Sequence, residues 1–446
     1  MGKNDGNLME KIVSFAKRRG FIFQSSEIYG GFASCYDYGP IGVALKNNVK
    51  AAWWKAMVQE HPEIVGLDSS ILMAPQVWEA SGHLGAGFTD PMAECKKCHK
   101  RFRPDKLDDQ KKCPECGGEL GDTRQFNIMM KTFVGPVEDT ASTTYLRGET
   151  CQGIYLNYEN VRESMRLKVP FGIAQIGKAF RNEITPGNFT FRMREFEQME
   201  MQYFVNPKNK KKEFKRWKEA RMKWYEEYGI NKKNLKYYEQ TKEDLAHYSS
   251  AAVDIEYSFP FGDDEIEGIH DRGDWDLSNH SKHSGKDLKY FNAETKEKYF
   301  PHIIETSAGA DRATLVFLVD AFDIVSGGRT KTTESNKEEE FVLRLDKRLA
   351  PIKVAILPLS KKKEVSEPAK KIFDELKESW MVQYDETGSI GRRYRRQDEI
   401  GTPFCVTLDF DSLEDKAVTV RDRDTMEQER VAIGELKDYL TEKLGF

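Results

Sequence analysis

Two apolar, alternating segments, "FGIAQIGKAF" (171–180) and "EFEQMEMQYF" (195–204), flank the stretch "RNEITPGNFTFRMR". Alternation at period two predicts strands, and the Pro-Gly dipeptide between them predicts a turn, so the block is expected to fold as an antiparallel hairpin. Arg181, Glu183, Arg192, Arg194, Glu195 and Glu197 crowd around its mouth. A charged hairpin at a sheet edge, there to resist aggregation, is the plainer explanation. The sharper one is a strand pair that grips a polyphosphate. A guanidinium is a planar fork that binds two oxygens at once. Arg181 ends an apolar strand and could project into a cleft. Glu183, two residues on, shares its face. Phe191 is an aromatic that could stack on a purine.

A second segment has the same chemistry. In "ETSAGADRATLVFLVDAF" a strand ends at Gly309, and Arg312 opens an apolar helix. A guanidinium and a helix N-terminus at one spot both favour phosphate. Arginine is also at the unfavourable end of that dipole, so it calls for an anionic partner.

The third signal is a pair of CxxC knuckles, "CKKC" (Cys95 and Cys98) and "CPEC" (Cys113 and Cys116), with fourteen residues between them. Two such knuckles can set four thiolates around Zn2+. Four ligands leave no open position, so the expected ion is structural. Cys35, Cys151 and Cys405 lack a CxxC partner and are expected to be small core or pocket-wall residues.

The seven cysteines are an odd number, and four of them form knuckles, which suits a reducing compartment better than a disulfide framework. "MGKNDGNLMEKIVSFAKRRGF" is too polar for a signal peptide, and no apolar run is long enough to span a bilayer. A cytoplasmic protein without a membrane partner is expected. With 69 Lys+Arg against 73 Asp+Glu, a general nucleic-acid-coating protein is disfavoured. A zinc-ribbon nucleic-acid binder is disfavoured on the same ground.

The 446 residues suggest two or three domains. Helices are expected at "LMEKIVSFAKRRGF" and "VALKNNVKAAWWKAMVQE". Lys-rich "NPKNKKKEFKRWKEARMKWYEEYGI" reads as a solvated helical insertion, within 206–250, rather than an RNA track. "AAVDIEYSFP" and "DDEIEGIHDRGDWDL" read as strands. Composition shifts near Thr330, where "GGRTKTTESNKEEE" reads as a polar linker. Beyond it strands and helices alternate, which argues for a compact α/β domain on a mixed sheet. In that domain "GRRYRRQDEIG" reads as a short helix with four arginines around a tyrosine, either a solvated face or an RNA contact.

Together these segments resemble the class II aminoacyl-tRNA synthetases. "FRNE" with "FRMREFEQMEMQYF" looks like their motif 2, and "GADRATLVFL" like motif 3. "YDYGPIGVALKNNVKAAWW" looks like the dimer-forming motif 1 region of the glycyl enzymes in particular. "ASGHLGAGFTDPM", "FRPD", "LRGETCQGI" and "EIEGIHDRGDWDL" are similar to further segments of that family. The likeness runs over about residues 8 to 446 and fits the homodimeric form, not the α2β2 tetramer. Two departures adjoin the expected pocket. The family usually has Pro and Ala where Gly148 and Cys151 stand, and Pro where Thr306 stands.

The resemblance implies an α+β protein: an antiparallel-sheet catalytic domain over 1–340, with a zinc insert at 94–121 and the 206–250 insertion, then an α/β anticodon-binding domain over 341–446. It implies ligation of glycine to its tRNA through a glycyl-adenylate, with ATP, Mg2+ and structural Zn2+. The alternative is a non-catalytic, synthetase-like tRNA-binding protein, against which the surviving Arg181 and Arg312 count. Arg181 would bind the α-phosphate, Glu183 the adenine end, Phe191 the adenine face and Arg192 the outer phosphates. Arg312 would clamp the γ-phosphate, while Glu265 and Ile266 line the nucleotide and a magnesium site. Asn182, Met193, Arg194, Glu195, Phe196, Gly309, Ala310 and Asp311 complete the nucleotide set. Around glycine the resemblance sets Phe196, Glu197, Gln198, Met199 and Glu200 on one strand and Glu305, Thr306, Ser307, Ala308 and Gly309 on another. Glu149 joins them, and Arg103 and Arg272 balance the charge. A glycine carboxylate is already ionised at pH 7 and needs no general base, so positioning and charge stabilisation are expected to carry the chemistry.

Overall fold

The computed structural model describes residues 5–85, 88–184, 187–241, 250–326, 329 and 339–445. The Thr-Pro of the hairpin turn, most of the linker expected at 327–340 and the end of the 206–250 insertion lie outside the described residues.

Helices α1 (Asp5–Arg18) and α2 (Pro40–Trp54) open the chain, and a short strand β1 (Ile64–Gly66) follows. The hairpin is β2 (Phe171–Phe180) and β3 (Glu195–Val205), paired antiparallel from Phe171↔Phe204 to Phe180↔Glu195. Then come α3 (Lys210–Glu227), β4 (Leu235–Glu239), β5 (Ala251–Phe259), β6 (Gly262–Gly273), β7 (His302–Gly309) and α4 (Ala310–Asp320). The seven strands form one sheet in the order β4-β5-β6-β7-β3-β2-β1. All neighbours are antiparallel except β1, which runs parallel to β2. The hairpin is thus not an edge. It lies inside the sheet, which removes the aggregation-guard explanation of its charges.

Period-two alternation divides the sheet into two faces. Ala174, Met199, Met201, Tyr203, Ile269, Ile304 and Ala308 join the main apolar core with α1, α2, α3 and α4. Gln175, Gln198, Glu200, Gln202, His270, Glu305 and Ser307 occupy the other face, cross-paired as Gln175↔Glu200↔Ser307 and Gln202↔Glu305↔His270. That polar face is where the site lies.

One local finding corrects the sequence expectation. The Lys-rich segment is not a solvated appendage. In α3, Trp217, Arg221, Trp224 and Tyr225 are buried, and Arg221 forms a fully buried bidentate pair with Glu267 of β6, at 2.6 and 3.2 Å. The lysines on the outer face mask a stripe at helical spacing. β4, from the same segment, forms the sheet edge. At the start of the chain, Gly20, Phe21 and the first turn of α2 meet so closely that a Cβ on Gly42 would lie 1.8 Å from the Phe21 carbonyl oxygen.

Between β1 and β2, strands Thr89–Glu94, Arg101–Phe102 and Arg124–Asn127 form a small separate sheet that carries the cysteine knuckles. After α4, Phe322–Val325 pairs with Glu340–Leu343 as an antiparallel ribbon. The last part is a five-stranded mixed sheet of β8 (Val354–Pro358), β9 (Val382–Tyr384), β10 (Phe404–Leu408), β11 (Ala417–Asp422) and β12 (Gln428–Ala432), in the order β9-β8-β10-β11-β12. It is flanked by α5 (Lys363–Leu376), α6 (Ile390–Ile400) and α7 (Leu436–Leu444), and it has its own apolar core.

Candidate active site

A cavity of about 280 Å³ opens on the polar face of the seven-stranded sheet. One end is cationic and aromatic. β2 stops at Phe180, and Arg181 is held just beyond it by a bridge to Met129. Its Nε donates to the Gly148 carbonyl at 3.0 Å, and its guanidinium lies between the rings of Phe88 and Phe196, at 5.3 and 5.4 Å. Arg312, in the first turn of α4, donates to the carbonyls of Phe191 (3.1 Å) and Glu265 (2.9 Å) and sits 3.4 Å from the Glu265 carboxylate. Glu265 is the anionic partner that a cation at a helix N-terminus requires. The guanidinium of Arg312 lies 4.3 Å above the Phe191 ring, which Phe259 and Phe261 hold edge-on. That gap is too small to admit a flat ring between them. Arg192 and Glu183 face each other at 3.6 Å.

The other end is acidic and closed. Glu149, Glu200 and Glu305 converge there, all buried. Glu200 accepts hydrogen bonds from Thr150, Gln198 (2.9 Å) and Ser307 (2.7 Å). Glu305 accepts from Gln202 (2.7 Å) and Arg272 (3.1 Å) and lies 2.7 Å from His270 Nδ1. Arg272 in turn makes a bidentate pair with Asp276, at 2.8 and 3.0 Å. Burial raises the Glu305 carboxyl, but the Arg272 charge and the His270 hydrogen bond outweigh it and hold the group at about 2. Among the described residues no cation forms an ion pair with Glu200. Burial, then the charges of Glu305 and Glu149, push it up to about 7.

The expected residues separate into three groups. Arg181, Glu183, Phe191, Arg192, Met193, Phe196, Glu265, Gly309, Asp311 and Arg312 line the cavity, as do Glu149, Gln198, Glu200, Glu305 and Ser307. Arg272 stands directly behind Glu305. The rest lie elsewhere. Ile266, Met199, Thr306, Ala308 and Ala310 are buried and are not among the cavity's lining residues; alternation turns Met199, Thr306 and Ala308 to the opposite face, and Ile266 joins the core where the register of β6 against β5 skips one residue, from Glu267 to Glu265. Asn182 and Arg194 line a separate groove towards the cysteine insert, and Glu195 pairs with Lys178. Arg103 pairs with Asp90 (2.8 Å) and Asp105 (2.7 Å). Glu197 pairs with Lys46 (3.1 Å) and Lys50 (3.0 Å) of α2. Asp311 is saturated by Lys46 (2.6 Å), Tyr38 (2.8 Å) and the Glu197 amide (2.7 Å). Through these contacts α2 fixes the junction of β3 and α4, a positioning role that the spacing of Lys46 and Lys50 does not announce.

Thr190, Gln240, Asp254 and His270 also line the cavity and were not expected. Asp254 had a signal, since it interrupts an apolar strand with a charge; His270 stands in a strand already rich in charge and had little. Gln240 had none.

In the insert the Sγ atoms of Cys95, Cys98, Cys113 and Cys116 lie within 4.8 Å of one another, with closest pairs at 3.5 and 3.7 Å. Zinc–sulfur bonds of about 2.3 Å in a tetrahedron put the sulfurs about 3.8 Å apart, so the four residues fit Zn2+. The backbone presses against the cluster: a Cβ on Gly118 would lie 3.1 and 3.3 Å from the sulfurs of Cys95 and Cys116.

Residues 136–322 match the family described as "tRNA synthetase class II core domain (G, H, P, S and T)", and residues 353–443 match "Anticodon binding domain". The chain is 53% identical to glycine–tRNA ligase of Thermobifida fusca over 98% of both chains. It is 54% identical to that of Treponema denticola over 96% of this chain and 95% of the relative, and 52% identical to that of Clostridium acetobutylicum over 99% of both. Motif arginines facing one cavity, a class II core, an anticodon-binding domain and identity above half along the whole length lead to one assignment: the chain belongs to the glycine–tRNA ligase family of class II aminoacyl-tRNA synthetases.

Proposed function

We propose that this chain ligates glycine to a tRNA in two steps. In the first, a glycine carboxylate oxygen attacks the α-phosphorus of ATP, the bond to the β-phosphate oxygen breaks, and glycyl-adenylate and pyrophosphate form. In the second, a ribose hydroxyl at the tRNA 3′ end attacks the glycyl carbonyl and AMP leaves. The observation that carries this is the polarity of the cavity: Arg181, Arg192 and Arg312 around Phe191 at one end, and Glu149, Glu200 and Glu305 at the other. The first end suits a nucleotide triphosphate, and the second suits the ammonium group of an amino acid.

Arg181 neutralises charge that grows on the α-phosphate as the nucleophile arrives. Phe191 stacks the adenine, Glu183 meets its polar edge, and Arg192 and Arg312 hold the outer phosphates. Glu265 would hold Mg2+, which when bound would supply further neutralisation of those phosphates. Glu149, Glu200, Glu305 and Ser307 hold the ammonium and leave no space for a side chain. Every competing amino acid is larger than glycine, so a steric filter is enough. Zn2+ in the four-cysteine cluster is structural. Residues 353–443 recognise the tRNA anticodon.

Among the described residues, no helix is long and apolar enough to cross a membrane, and cytoplasmic work on tRNA fits that. Ile28, Tyr29 and Phe32, which are 88%, 87% and 57% exposed just ahead of α2, support a homodimer closed through that region.

Glycine-dependent pyrophosphate exchange into ATP tests the proposal. Arg181→Ala should reduce that exchange by a factor of about 100 or more, because losing one charge-assisted donor to a developing anion costs about 3 kcal/mol. Wild-type exchange by a folded Arg181→Ala protein, or no exchange by the parent, overturns it.

A further inference from the structure

The closed end of the cavity holds one group that ammonium recognition does not use. Cys151 Sγ and one oxygen each from Glu200 and Glu305 lie within 4.8 Å of one another, and all three residues are buried. Cys151 donates to Glu149 Oε1 at 2.9 Å. His83 is only 6% exposed, its Nε2 makes no hydrogen bond among the described residues, and that nitrogen lies 3.3 Å from the same Glu149 oxygen. One sulfur, three carboxylates and an imidazole nitrogen are therefore gathered at this end, where Glu149, Glu200 and Glu305 line the cavity.

We propose that this pocket is also a binding site for Zn2+ or a similarly soft divalent cation, held by Cys151, Glu200 and Glu305 with Glu149 or His83 as the fourth donor, and that the ion competes with glycine. The competition rests on the assignment of this pocket to glycine. The donor set is the mixed S, O and N shell that zinc accepts in tetrahedral geometry. Contraction of the three donors by about 1 Å brings them to the spacing of a zinc shell. Charge favours the ion for the same reason it favours an ammonium group: three carboxylates converge here, and Arg272, the guanidinium that pairs with Glu305, is shared with Asp276. Mg2+ does not substitute, because it prefers an octahedron of oxygens with several waters. On binding, the Cys151 thiol releases its proton to water and the thiolate bonds to the ion, without oxidation or reduction.

The test uses full-length protein whose four-cysteine insert already holds one zinc per chain. Zinc is titrated by equilibrium dialysis with metal analysis, alongside Cys151→Ala and Cys151→Ser. The parent should take up a second zinc per chain, and saturating glycine should expel it. Both variants should bind that second ion at least tenfold more weakly. Cadmium should give the parent an additional thiolate-to-metal absorption band, absent in Cys151→Ser and bleached by glycine. Circular dichroism establishes that the variants are folded, and the serine variant keeps the volume of the site. A second zinc bound equally by Cys151→Ser, or left in place by glycine, overturns the proposal, as does failure of the parent to bind one. Calorimetric glycine binding without added metal tells the two ideas apart. Glycine binding without zinc uptake ends only the metal site, whereas absence of glycine binding ends the pocket assignment itself.

Discussion

Arg272 is the buried guanidinium that pairs with Glu305 at the acidic end of the cavity. It is 2% exposed and bonds to Asp276 and Glu305, both buried. Removing one partner of a buried pair leaves an uncompensated charge, which costs about 3–5 kcal/mol. Arg272→Ala should therefore lose that much stability in urea unfolding. It should also raise the KM for glycine, because Glu305 is no longer held ionised. Glu305→Gln separates the two effects. It should raise the glycine KM at least tenfold while altering the ATP KM far less, since Glu305 lies at the opposite end from Arg312. An equal change in both KM values would dissociate Glu305 from the ammonium. At this scale the sequence is most informative where a charge interrupts an alternating strand, as at Glu200 and Glu305. It misleads where a motif is read whole. Alternation turns Met199, Thr306 and Ala308 into the core, and only the strand register decides which half of a motif faces the ligand.

The element that sequence composition misjudges is α3. Its lysines suggest solvent, but Trp217 and Trp224 lie at helical spacing and pack into the main core, and Arg221 reaches Glu267 of β6. Trp217→Ala should cost about 3–5 kcal/mol by urea unfolding, the usual penalty for emptying a large buried site. A loss below about 1 kcal/mol would restore the solvated description. The cysteine insert is the opposite case. CxxC spacing is set by the geometry of a metal knuckle, so it is legible without any fold. The insert has a small core of its own around Ala93, Phe102 and Leu120. Such a core is too small to persist without its staple. A strong chelator should make residues 94–121 protease-sensitive while β2 and β3 stay protected in hydrogen exchange. Unchanged cleavage of the insert after complete zinc removal would refute a structural metal.

At the scale of the whole molecule the main core and the core of the last sheet are the two largest, and the seam between them is not where composition changes. The shift near Thr330 points to a boundary at 340. Glu340–Leu343, however, pairs back onto Phe322–Val325, and Leu345, Leu349, Ile352 and Ile400 join the main core. Arg19, just beyond α1, pairs with Glu399 of α6 across the seam. Contacts between distant segments carry no local signal, which is why a composition shift shows in the sequence and the seam does not. The seam also determines what the arginines of α6 can do. Arg393 is buried, donating to the carbonyls of Pro358 (2.6 Å) and Asp385 (3.1 Å), so its work is structural. Arg396 pairs with Asp385 at 2.9 Å. Arg392 lines a groove with Arg19 and Arg395. A phosphate backbone lying in that groove would release counterions from each contact. Arg392→Ala should therefore weaken tRNA binding and flatten the slope of log affinity against log salt by about one. Glycine-dependent pyrophosphate exchange, which takes place at the other core, should fall far less. Arg393→Ala should instead lower the melting temperature and leave the salt slope of the folded fraction unaltered. If Arg392→Ala binds tRNA with the parent's affinity and salt slope, the arginine face of α6 is a solvated surface and the anticodon is read elsewhere on residues 353–443.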